Sequence, residues 1–323
     1  MKIVVTGGAG YIGSVTTEIL LNAGHSVTVF DNLERGHRAA IDDRAAFIHG
    51  DLRKAGDIAT AIRKVQPDAV MHFAAYALVG ESMQHPEMYF GNNMVGGLNL
   101  VEAMRVAGTP KIVFSSTCAT YGQPERMPIT EDLAQVPANP YGESKLMFEK
   151  TLRWYQELHG TTSVFLRYFN ARGATARFGE DHEPETHLIP NILKVALNQR
   201  PEFHVFGDDY RTPDGTCIRD YIHIVDLAQA HMLAIEGSHT GPFNLGTGTG
   251  NSVQEVLSVA RKVTGHPIPT VIKPRRPGDP DTLVAGAQRA RTVLGWKPRF
   301  ENIRAIIESA WAWHKAHPHG YPF

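Results

Sequence analysis

The chain contains 323 residues, of which 42% are hydrophobic and 20% are charged, and its formal net charge is −1. This balance is ordinary for a globular protein and excludes a broad basic surface for nucleic acid or for an anionic membrane. Cys118 and Cys217 are too few for a disulfide framework or a cysteine-based zinc site. No apolar run reaches about 18 residues, so we predict no membrane span. The run Lys2–Thr6 already predicts a buried strand, which leaves no room for a leader peptide, and we expect a cytoplasmic protein.

Short apolar runs alternate with longer amphipathic stretches through the first half of the chain. This alternation predicts parallel strands joined by crossover helices on both faces of a sheet, which is a doubly wound α/β architecture. Predicted strands lie at Ile3–Thr6, Ser26–Phe30, Ala45–His49, Ala69–Phe73, Lys111–Ser115 and Ser163–Tyr168. Predicted helices lie at Tyr11–Ala23, Asp57–Val65, Pro86–Ala107 and Tyr141–His159.

After about Ala171 the chain becomes more polar, and turn residues concentrate in Phe206–Gly215. We predict that residues 173–323 form a smaller cap over the carboxyl edge of the sheet. Residues 1–172 form the first unit, and parts of 218–247 are expected to join it. Predicted helices in this half lie at Leu188–Asn198, Ile224–Glu236, Ser252–Thr264 and Ile303–His317.

A glycine-rich loop follows the first predicted strand and opens the first predicted helix. Gly8, Gly10 and Gly13 fit the spacing G-x-G-x-x-G, and Gly7 with Gly10 and Gly13 fits G-x-x-G-x-x-G. Glycine permits the tight turn and lets backbone N–H groups approach a pyrophosphate at the helix N-terminus. Because the loop begins a βαβ unit, residues 1–172 are predicted to be a Rossmann-like dinucleotide-binding domain.

An acidic residue, Asp31, ends the second predicted strand at the distance expected for recognition of a nucleotide ribose. Its carboxylate would accept hydrogen bonds from the ribose hydroxyls and repel a 2′-phosphate, so NAD is favoured over NADP. Arg35 is a nearby cation that weakens this preference slightly. Asp51 follows the third strand and is predicted to meet the adenine, with an N-cap or turn aspartate as the alternative.

Tyr141 and Lys145 form a Y-x-x-x-K pair, which lies on one face of a predicted helix. The ordinary pKa of tyrosine is about 10, so its use as a base near pH 7 requires nearby positive charge. The ammonium of Lys145 and an oxidised nicotinamide ring are the predicted sources of that charge. The pair lies one crossover after the segment 114–117, a strand end that carries hydroxyl groups. We therefore predict Tyr141 and Lys145 as catalytic residues.

The chain resembles the extended short-chain dehydrogenases and, within them, the UDP-glucose 4-epimerases, over essentially its full length. Matching segments of the first unit are TGGAGYIGS (6–14), FDNL (30–33), GDL (50–52), FAAYALVGES (73–82), SSTCATYG (115–122), PYGESK (140–145) and RYFNARGA (167–174). Matching segments of the cap are HLIPNIL, FGDDYRTPDGTCIRDYIHIVDLA, FNLGTGTGNSV and RRPGD. The glycine loop and the Y-x-x-x-K pair identify only the superfamily, whereas residues 208–228 and 276–279 are specific to the epimerase group.

This resemblance implies an NAD-dependent isomerase that interconverts UDP-glucose and UDP-galactose. Tyr141 would take the proton of the sugar 4-hydroxyl while a hydride leaves C4, and Thr117 would hydrogen-bond the same oxygen. Lys145 would hold the nicotinamide ribose and tune Tyr141. The 4-keto sugar would then turn, and the hydride would return to its opposite face. The resemblance also implies a homodimer that uses two helices of the nucleotide domain.

The resemblance implies roles for two further groups of residues. Positions that match NAD contacts, besides Thr117, Tyr141 and Lys145, are Gly7, Gly10, Tyr11, Ile12, Gly13, Asp31, Asn32, Leu33, Asp51, Leu52, Phe73, Ala74, Ala75, Asn92 and Phe169. Positions that match nucleotide-sugar contacts, besides Thr117 and Tyr141, are Asn170, His187, Leu188, Phe206, Arg219, Arg276, Asp279 and Leu283. Arginines suit a diphosphate because they make charge-assisted, often bidentate contacts. A structural ion pair of Arg219 with Asp220 is the alternative for that arginine.

Three positions depart from the common epimerase pattern. Ala77 stands where many epimerases have lysine, and His187 stands where asparagine is common. Leu283 occupies a place where relatives have either tyrosine or a smaller residue, and this position limits the room for an N-acetyl group. UDP-N-acetylglucosamine and UDP-glucuronate 4-epimerases therefore stay open as alternatives.

Two more distant functions compete with an epimerase. A sugar-nucleotide dehydratase needs an acidic pair directly after Thr117, where this chain has Cys118 and Ala119. A non-catalytic NAD-sensing protein would not need the intact Thr117, Tyr141 and Lys145. His314, His317 and His319 cluster near the C-terminus without carboxylates or cysteines at ligand spacing, so no metal site is predicted.

Overall fold

Seven parallel strands form the central sheet of this computed structural model, which describes residues 1–276 and 278–322. Pro277, within the RRPGD segment, lies outside the described residues. The strands are β1 Lys2–Thr6, β2 Ser26–Asp31, β3 Ala46–His49, β4 Ala69–His72, β5 Lys111–Thr117, β6 Thr162–Tyr168, β7 Asn170–Arg172, β8 Phe203–Phe206, β9 Ile218–His223, β10 Gly241–Leu245, β11 Gly250–Ser252, β12 Thr270–Lys273 and β13 Thr282–Leu283. The central sheet has the order β10-β6-β5-β4-β1-β2-β3. The predicted doubly wound α/β fold is confirmed.

Helices cover both faces of this sheet. They are α1 Tyr11–Asn22, α2 Ala55–Val65, α3 Val79–Gln84, α4 Pro86–Tyr89, α5 Gly96–Ala107, α6 Pro140–His159, α7 Leu188–Ala196, α8 Ile224–Glu236, α9 Val253–Thr264, α10 Gln288–Val293 and α11 Ile303–Ala316. On β5, Val113 packs with the cluster under α1 and α8, while Ile112 and Phe114 pack with α2, α5 and α6. This double coverage explains the continuous apolar run of β5. Among the described helices, none has the length and hydropathy that a bilayer crossing requires.

The segment predicted as one helix from Pro86 to Ala107 is divided, and that prediction is wrong in this respect. A π-helical segment, Phe90–Val95, separates α4 from α5. A π segment changes the hydrogen-bond spacing locally, which hydrophobic periodicity does not reveal. Helices α3 and α10 were not predicted, because six residues are too few to show a helical hydrophobic period.

The second unit packs α7, α9 and α11 around two small sheets. Strand β9 pairs with β7, β11 and β13, and β8 pairs with β12. Buried Leu193, Leu257 and Ile307 form the centre of its core. The chain also returns to the first unit, because β10 pairs with β6 in the central sheet and α8 packs against α1. The boundary at residues 172 and 173 stays a prediction.

A buried ion pair fastens α6 to the central sheet. Nη2 of Arg167, on β6, lies 2.5 Å from Oε2 of Glu149, on α6, and the two side chains are 1% and 0% exposed. The hydroxyl of Ser116 also donates to Oε1 of Glu149 at 2.5 Å. A buried pair of this kind is tolerated because its charged atoms keep their hydrogen-bond partners. Glu149 thereby holds α6, the helix that carries Tyr141, against β6 through Arg167 and against β5 through Ser116.

Replacing Arg167 by methionine should lower the free energy of unfolding by about 3–5 kcal/mol, because Glu149 would remain as an uncompensated buried charge. Urea unfolding of purified protein measures this change. The matched control is Arg153→Met, since Arg153 approaches the same carboxylate at 3.8 Å but is 53% exposed. That exposed contact should contribute less than about 1 kcal/mol. Equal losses for the two variants would contradict the anchoring role of the buried pair.

Candidate active site

The residues predicted to bind a dinucleotide meet at the carboxyl edge of the central sheet. The order of the strands places β1 beside β4, where the connections leave in opposite directions, and such a switch point forms a crevice for ligands. The loops and strand ends that meet here contain Gly7, Gly10, Tyr11, Ile12 and Gly13 after β1, Asp31, Asn32 and Leu33 at the end of β2, Asp51 and Leu52 after β3, Phe73, Ala74 and Ala75 after β4, Thr117 at the end of β5, and Phe169 after β6.

The glycine loop has the shape of a phosphate cradle. Gly7 has a φ of +74°, and a Cβ atom built on it would lie 2.4 Å from the backbone nitrogen of Ala74. A Cβ atom on Gly13 would lie 2.2 Å from the carbonyl oxygen of Gly7. Helix α1 begins after Gly10 without a side-chain cap, so its N-terminus is left for a ligand. These positions therefore fit the pyrophosphate of a dinucleotide.

Asp31 is buried at the end of β2 and pins the glycine loop. Its Oδ2 accepts from the backbone N–H of Ala9 at 3.0 Å, and its Oδ1 accepts from that of Leu33 at 2.8 Å. Burial raises the pKa of this carboxyl. Each carboxylate oxygen retains a lone pair that can accept from a ribose hydroxyl. Arg35, which weakened the preference for NAD, is paired with Glu81 at 2.7 Å.

Asp51 is engaged by a neighbouring arginine. Its Oδ2 lies 2.6 Å from Nη2 of Arg53, and its Oδ1 accepts from the backbone N–H of Arg53 at 2.9 Å. Hydrogen bonds from Arg53 lower the pKa of this carboxyl to about 2. This geometry matches the alternative prediction for Asp51, a turn aspartate. A contact between Asp51 and adenine stays a prediction.

The start of α6 places the tyrosine beside Thr117. The side chain of Asn139 caps the helix by accepting from the backbone N–H of Gly142 at 2.9 Å. A Cβ atom on Gly142 would lie 2.6 Å from the carbonyl oxygen of Ala119, so glycine permits the helix to touch the loop after β5. The Tyr141 phenol lies close enough to the Thr117 hydroxyl for that hydroxyl to lower the pKa of the phenol.

Burial dominates the protonation of Tyr141 and Lys145. Desolvation raises the pKa of Tyr141 to about 12, and the nearby Thr117 hydroxyl offsets this only in part. Desolvation also lowers the pKa of Lys145 to about 7. Nζ of Lys145 donates to the carbonyl oxygen of Ser115 at 2.9 Å and lies 4.9 Å from the ring centroid of Phe114. Lys145 is not among the groups that shift the pKa of Tyr141 here. The prediction that Lys145 and an oxidised nicotinamide ring together lower that pKa stays a prediction.

Asn93 is a positioning residue that the sequence did not indicate. Its Oδ1 accepts from the backbone N–H of Tyr76 at 2.9 Å, and its Nδ2 donates to the hydroxyl of Ser144 at 3.1 Å. It therefore ties the loop after β4 to α6. The predicted contact residue, Asn92, donates to the side chain of Asn93 at 3.1 Å. Two adjacent asparagines in a π segment gave no signal to distinguish these roles.

The cap contains a cavity of about 530 Å³ that collects four of the predicted substrate residues. Leu188, Phe206, Arg276 and Asp279 line it. The guanidinium of Arg276 lies 4.3 Å from the ring centroid of Phe206. Arginine and an aromatic ring at this separation offer an anion contact and a stacking surface to one ligand.

Arg219 pairs with a distant carboxylate instead of its neighbour. Its Nη2 lies 2.5 Å from Oδ1 of Asp279. Asp220 accepts instead from the backbone N–H groups of Thr247 at 2.8 Å and of Ala285 at 3.1 Å. The alternative of an ion pair between Arg219 and Asp220 is therefore wrong.

The other predicted substrate residues, Asn170, Leu283 and His187, do not line the cavity in the cap. Nδ2 of Asn170 donates to the carbonyl oxygen of Asp220 at 2.9 Å. Leu283 lies beside Arg219 in the β13–β9 pairing and packs with the cluster that contains Phe169. His187 precedes α7 and directs its Nδ1 to Glu185 at 2.9 Å.

Known proteins match this chain along its whole length. Residues 3–246 match the model of the NAD dependent epimerase/dehydratase family. A UDP-glucose 4-epimerase of Halalkalibacterium halodurans is 53% identical, with 99% of this chain and 98% of that protein covered. A crystal structure of a UDP-glucose 4-epimerase has a TM-score of 0.97 at 49% identity, with 100% of both chains covered. The UDP-glucose 4-epimerase of Bifidobacterium longum, solved in complex with NAD+ and UDP, has a TM-score of 0.95 at 40% identity, covering 99% of this chain and 100% of that one.

Replacing Gly142 by alanine should lower the catalytic rate constant by at least about 10-fold, because the added methyl would push the start of α6 away from Thr117. Steady-state kinetics and the melting temperature should be measured together, so that lost activity is separated from lost folding. Gly56→Ala is the matched control, since a Cβ atom there meets nothing within 4 Å. An unchanged rate in the Gly142 variant would show that the approach of α6 does not position Tyr141.

Proposed function

Because this chain belongs to the NAD dependent epimerase/dehydratase family, we propose that it interconverts UDP-glucose and UDP-galactose at C4, with NAD as cofactor. The observation that carries this proposal is the full-length similarity to UDP-glucose 4-epimerases. The geometry agrees, since the acid–base residues lie at the carboxyl edge of the sheet, next to a cradle that fits a dinucleotide.

The chain supplies the proton transfer and the positioning. The chemistry that NAD supplies when bound is reversible hydride acceptance from C4 and a positive charge near the phenol. Oη of Tyr141 takes the proton of the 4-hydroxyl as C4 becomes a ketone, and returns it when the ketone is reduced. The Thr117 hydroxyl hydrogen-bonds the same oxygen. Nζ of Lys145 donates to the carbonyl oxygen of Ser115, and its remaining N–H groups can hold the ribose of the cofactor.

The cap holds the nucleotide half of the substrate. Arg276, which lines the cavity, and Arg219, which pairs with Asp279 of the lining, carry the positive charge that a diphosphate requires. Phe206 with Leu188 provides an apolar wall for uracil. Asp279 accepts hydrogen bonds from the ribose. Because binding energy is concentrated on UDP, the 4-keto sugar is free to turn about its diphosphate link and present either face for reduction.

The two side chains that follow Thr117, those of Cys118 and Ala119, favour an epimerase over a dehydratase. Elimination of water needs an acid–base pair there, and burial raises the pKa of the Cys118 thiol to about 12. Neither this thiol nor the methyl group of Ala119 can exchange a proton near neutral pH.

Two organisational proposals accompany this function. Residues 1–172, together with parts of 218–247, form the NAD-binding unit, and the rest of 173–323 forms the nucleotide-sugar cap. We also propose that the protein works in the cytoplasm. Support comes from the thiols of Cys118 and Cys217, which are both free, as is usual in a reducing compartment.

Incubation of the purified protein with UDP-galactose should yield UDP-glucose, resolved by proton NMR of the C4 epimers. Tyr141→Phe should lower the rate by at least about 10²-fold while UDP and NAD binding persist, because only the proton acceptor is removed. Tyr155→Phe, on the same helix, is the control, since its hydroxyl contacts Glu102 at 2.9 Å and not the site. Near-normal turnover of the Tyr141 variant would overturn the assignment of the base. Retained NAD without turnover of any UDP-sugar by the wild type would overturn the function.

We further propose a homodimer built on α5 and α6. Apolar side chains are exposed in line on these helices, including Val106 at 67% on α5 and Trp154 at 60% and Leu158 at 66% on α6. Contiguous exposed apolar side chains of this kind mark protein interaction sites. Two copies that face each other through α5 and α6 would bury these residues in a four-helix contact.

The substitution Leu158→Glu should convert the dimer to a monomer, because it places a charge at the centre of this apolar contact. Sedimentation equilibrium of the purified protein measures the mass directly. Ile272→Glu is the matched control, since Ile272 is an exposed apolar residue, at 56%, on β12 of the cap. A wild type that is monomeric, or a Leu158 variant that remains dimeric, would contradict the proposed interface.

A further inference from the structure

Four potential metal ligands converge in the segment that joins β7 to α7. Glu180, His182, Glu185 and His187 each offer one ligand atom, and these atoms all lie within 4.8 Å of one another. Nδ1 of His187 lies 2.9 Å from Glu185 and 3.0 Å from Glu180. Nδ1 of His182 lies 3.4 Å from Glu180 and 3.7 Å from Glu185. We refer to these four residues as the boundary cluster, because they lie between the two units.

Two buried polar atoms of the boundary cluster lack a hydrogen-bond partner in the part of the chain that the structure describes. Glu180 and Glu185 are only 4% and 7% exposed. Oε1 of Glu180 and Nδ1 of His182 nevertheless have no hydrogen-bond partner of acceptable geometry among the described residues. The nearest guanidinium, that of Arg172, lies 3.4 Å from Glu180 and donates to the carbonyl oxygen of Ala171. Buried polar atoms without partners are costly, so the arrangement calls for a further group at its centre.

We infer that the boundary cluster binds one divalent transition-metal ion, with Zn²⁺ as the best match. Bonds of about 2.0–2.1 Å in a tetrahedral zinc site place neighbouring ligand atoms about 3.4 Å apart. The four distances between a histidine nitrogen and a carboxylate oxygen, 2.9 to 3.7 Å, lie on both sides of that value, and all four ligand atoms lie within 4.8 Å of one another. Two carboxylates neutralise a divalent ion while the imidazoles remain uncharged, which removes the cost of burying the carboxylates. Imidazole ligands exclude Ca²⁺ and Mg²⁺, which require oxygen ligands.

The surroundings of the boundary cluster permit entry of an ion. The side chains of His182 and His187 are 31% and 27% exposed. A cavity of about 250 Å³ is lined by Glu180 and Glu185 together with Lys194 and His314. The ligand set is closed, with four protein ligands and no position reserved for water, so the ion has a structural role.

The bound ion would stiffen the connection between the nucleotide domain and the cap. The ring of His182 packs edge-on against Tyr11 of α1, with centroids 6.2 Å apart. The hydroxyl of Tyr11 donates to the carbonyl oxygen of Gly173 at 2.6 Å. His187 directly precedes Leu188, which lines the cap cavity. One ion therefore connects the glycine-loop helix, the segment after β7 and the first turn of α7.

Zinc binding to the full-length protein tests this inference. Protein stripped with a chelator and dialysed against ZnCl₂ should retain about one zinc per chain by mass spectrometry. His182→Gln should weaken Zn²⁺ binding by more than about 100-fold, measured by competition with a chelating dye. Co²⁺ should give the intense visible absorption of a tetrahedral site in the wild type and not in this variant. Glu185→Gln is a second ligand variant, in case His182→Gln fails to fold.

The matched control is His317→Gln combined with His319→Gln, which removes two histidines beside the same cavity but outside the boundary cluster. This control should bind zinc as the wild type does. Zinc should also raise the melting temperature of the wild type and of the control, and not that of the ligand variants. A wild type that retains no zinc, or ligand variants that bind it as tightly as the control does, would overturn the inference.

Discussion

The close approach of α6 to the end of β5 is the constraint on which the candidate active site depends. Gly142 allows backbone contact where any side chain would collide with Ala119, and this contact places the phenol of Tyr141 beside Thr117. The ion pair of Glu149 with Arg167 holds the same helix further along. Gly142 at the contact and the buried ion pair in the core therefore both fix the position of α6. They set the position of Tyr141 relative to Thr117, two residues that belong to different elements.

Burial explains why this site requires a cofactor for its chemistry. Desolvation favours the neutral forms of both Tyr141 and Lys145, so the pair does not generate a phenolate near neutral pH. A positive charge brought into the same dry space changes that balance far more than it would in water. The dinucleotide proposed to bind at the glycine loop would bring such a charge.

The two units are joined by more than a flexible linker. Strand β10 and helix α8, which follow the first part of the cap, pack into the nucleotide domain. The boundary cluster lies on the other connection, between β7 and α7. Residues proposed to bind the nucleotide sugar, such as Leu188 and Arg219, start from elements that these connections position. Rigid connections suit a site in which the sugar has to turn while its nucleotide remains fixed.

Local patterns were enough to predict six of the seven strands of the central sheet, the glycine loop and the pairing of Tyr141 with Lys145 on one helix face, because each depends on residues close in the chain. The seventh strand, β10, was not predicted. Only the folded chain decided which charges meet. Arg219 pairs with Asp279, which is 60 residues away, and not with its neighbour Asp220. The depth of burial, which raises the pKa of Tyr141, likewise cannot be predicted from the spacing of residues. Charge pairing and desolvation arise from packing between distant segments, and neither leaves a periodic signal in the sequence.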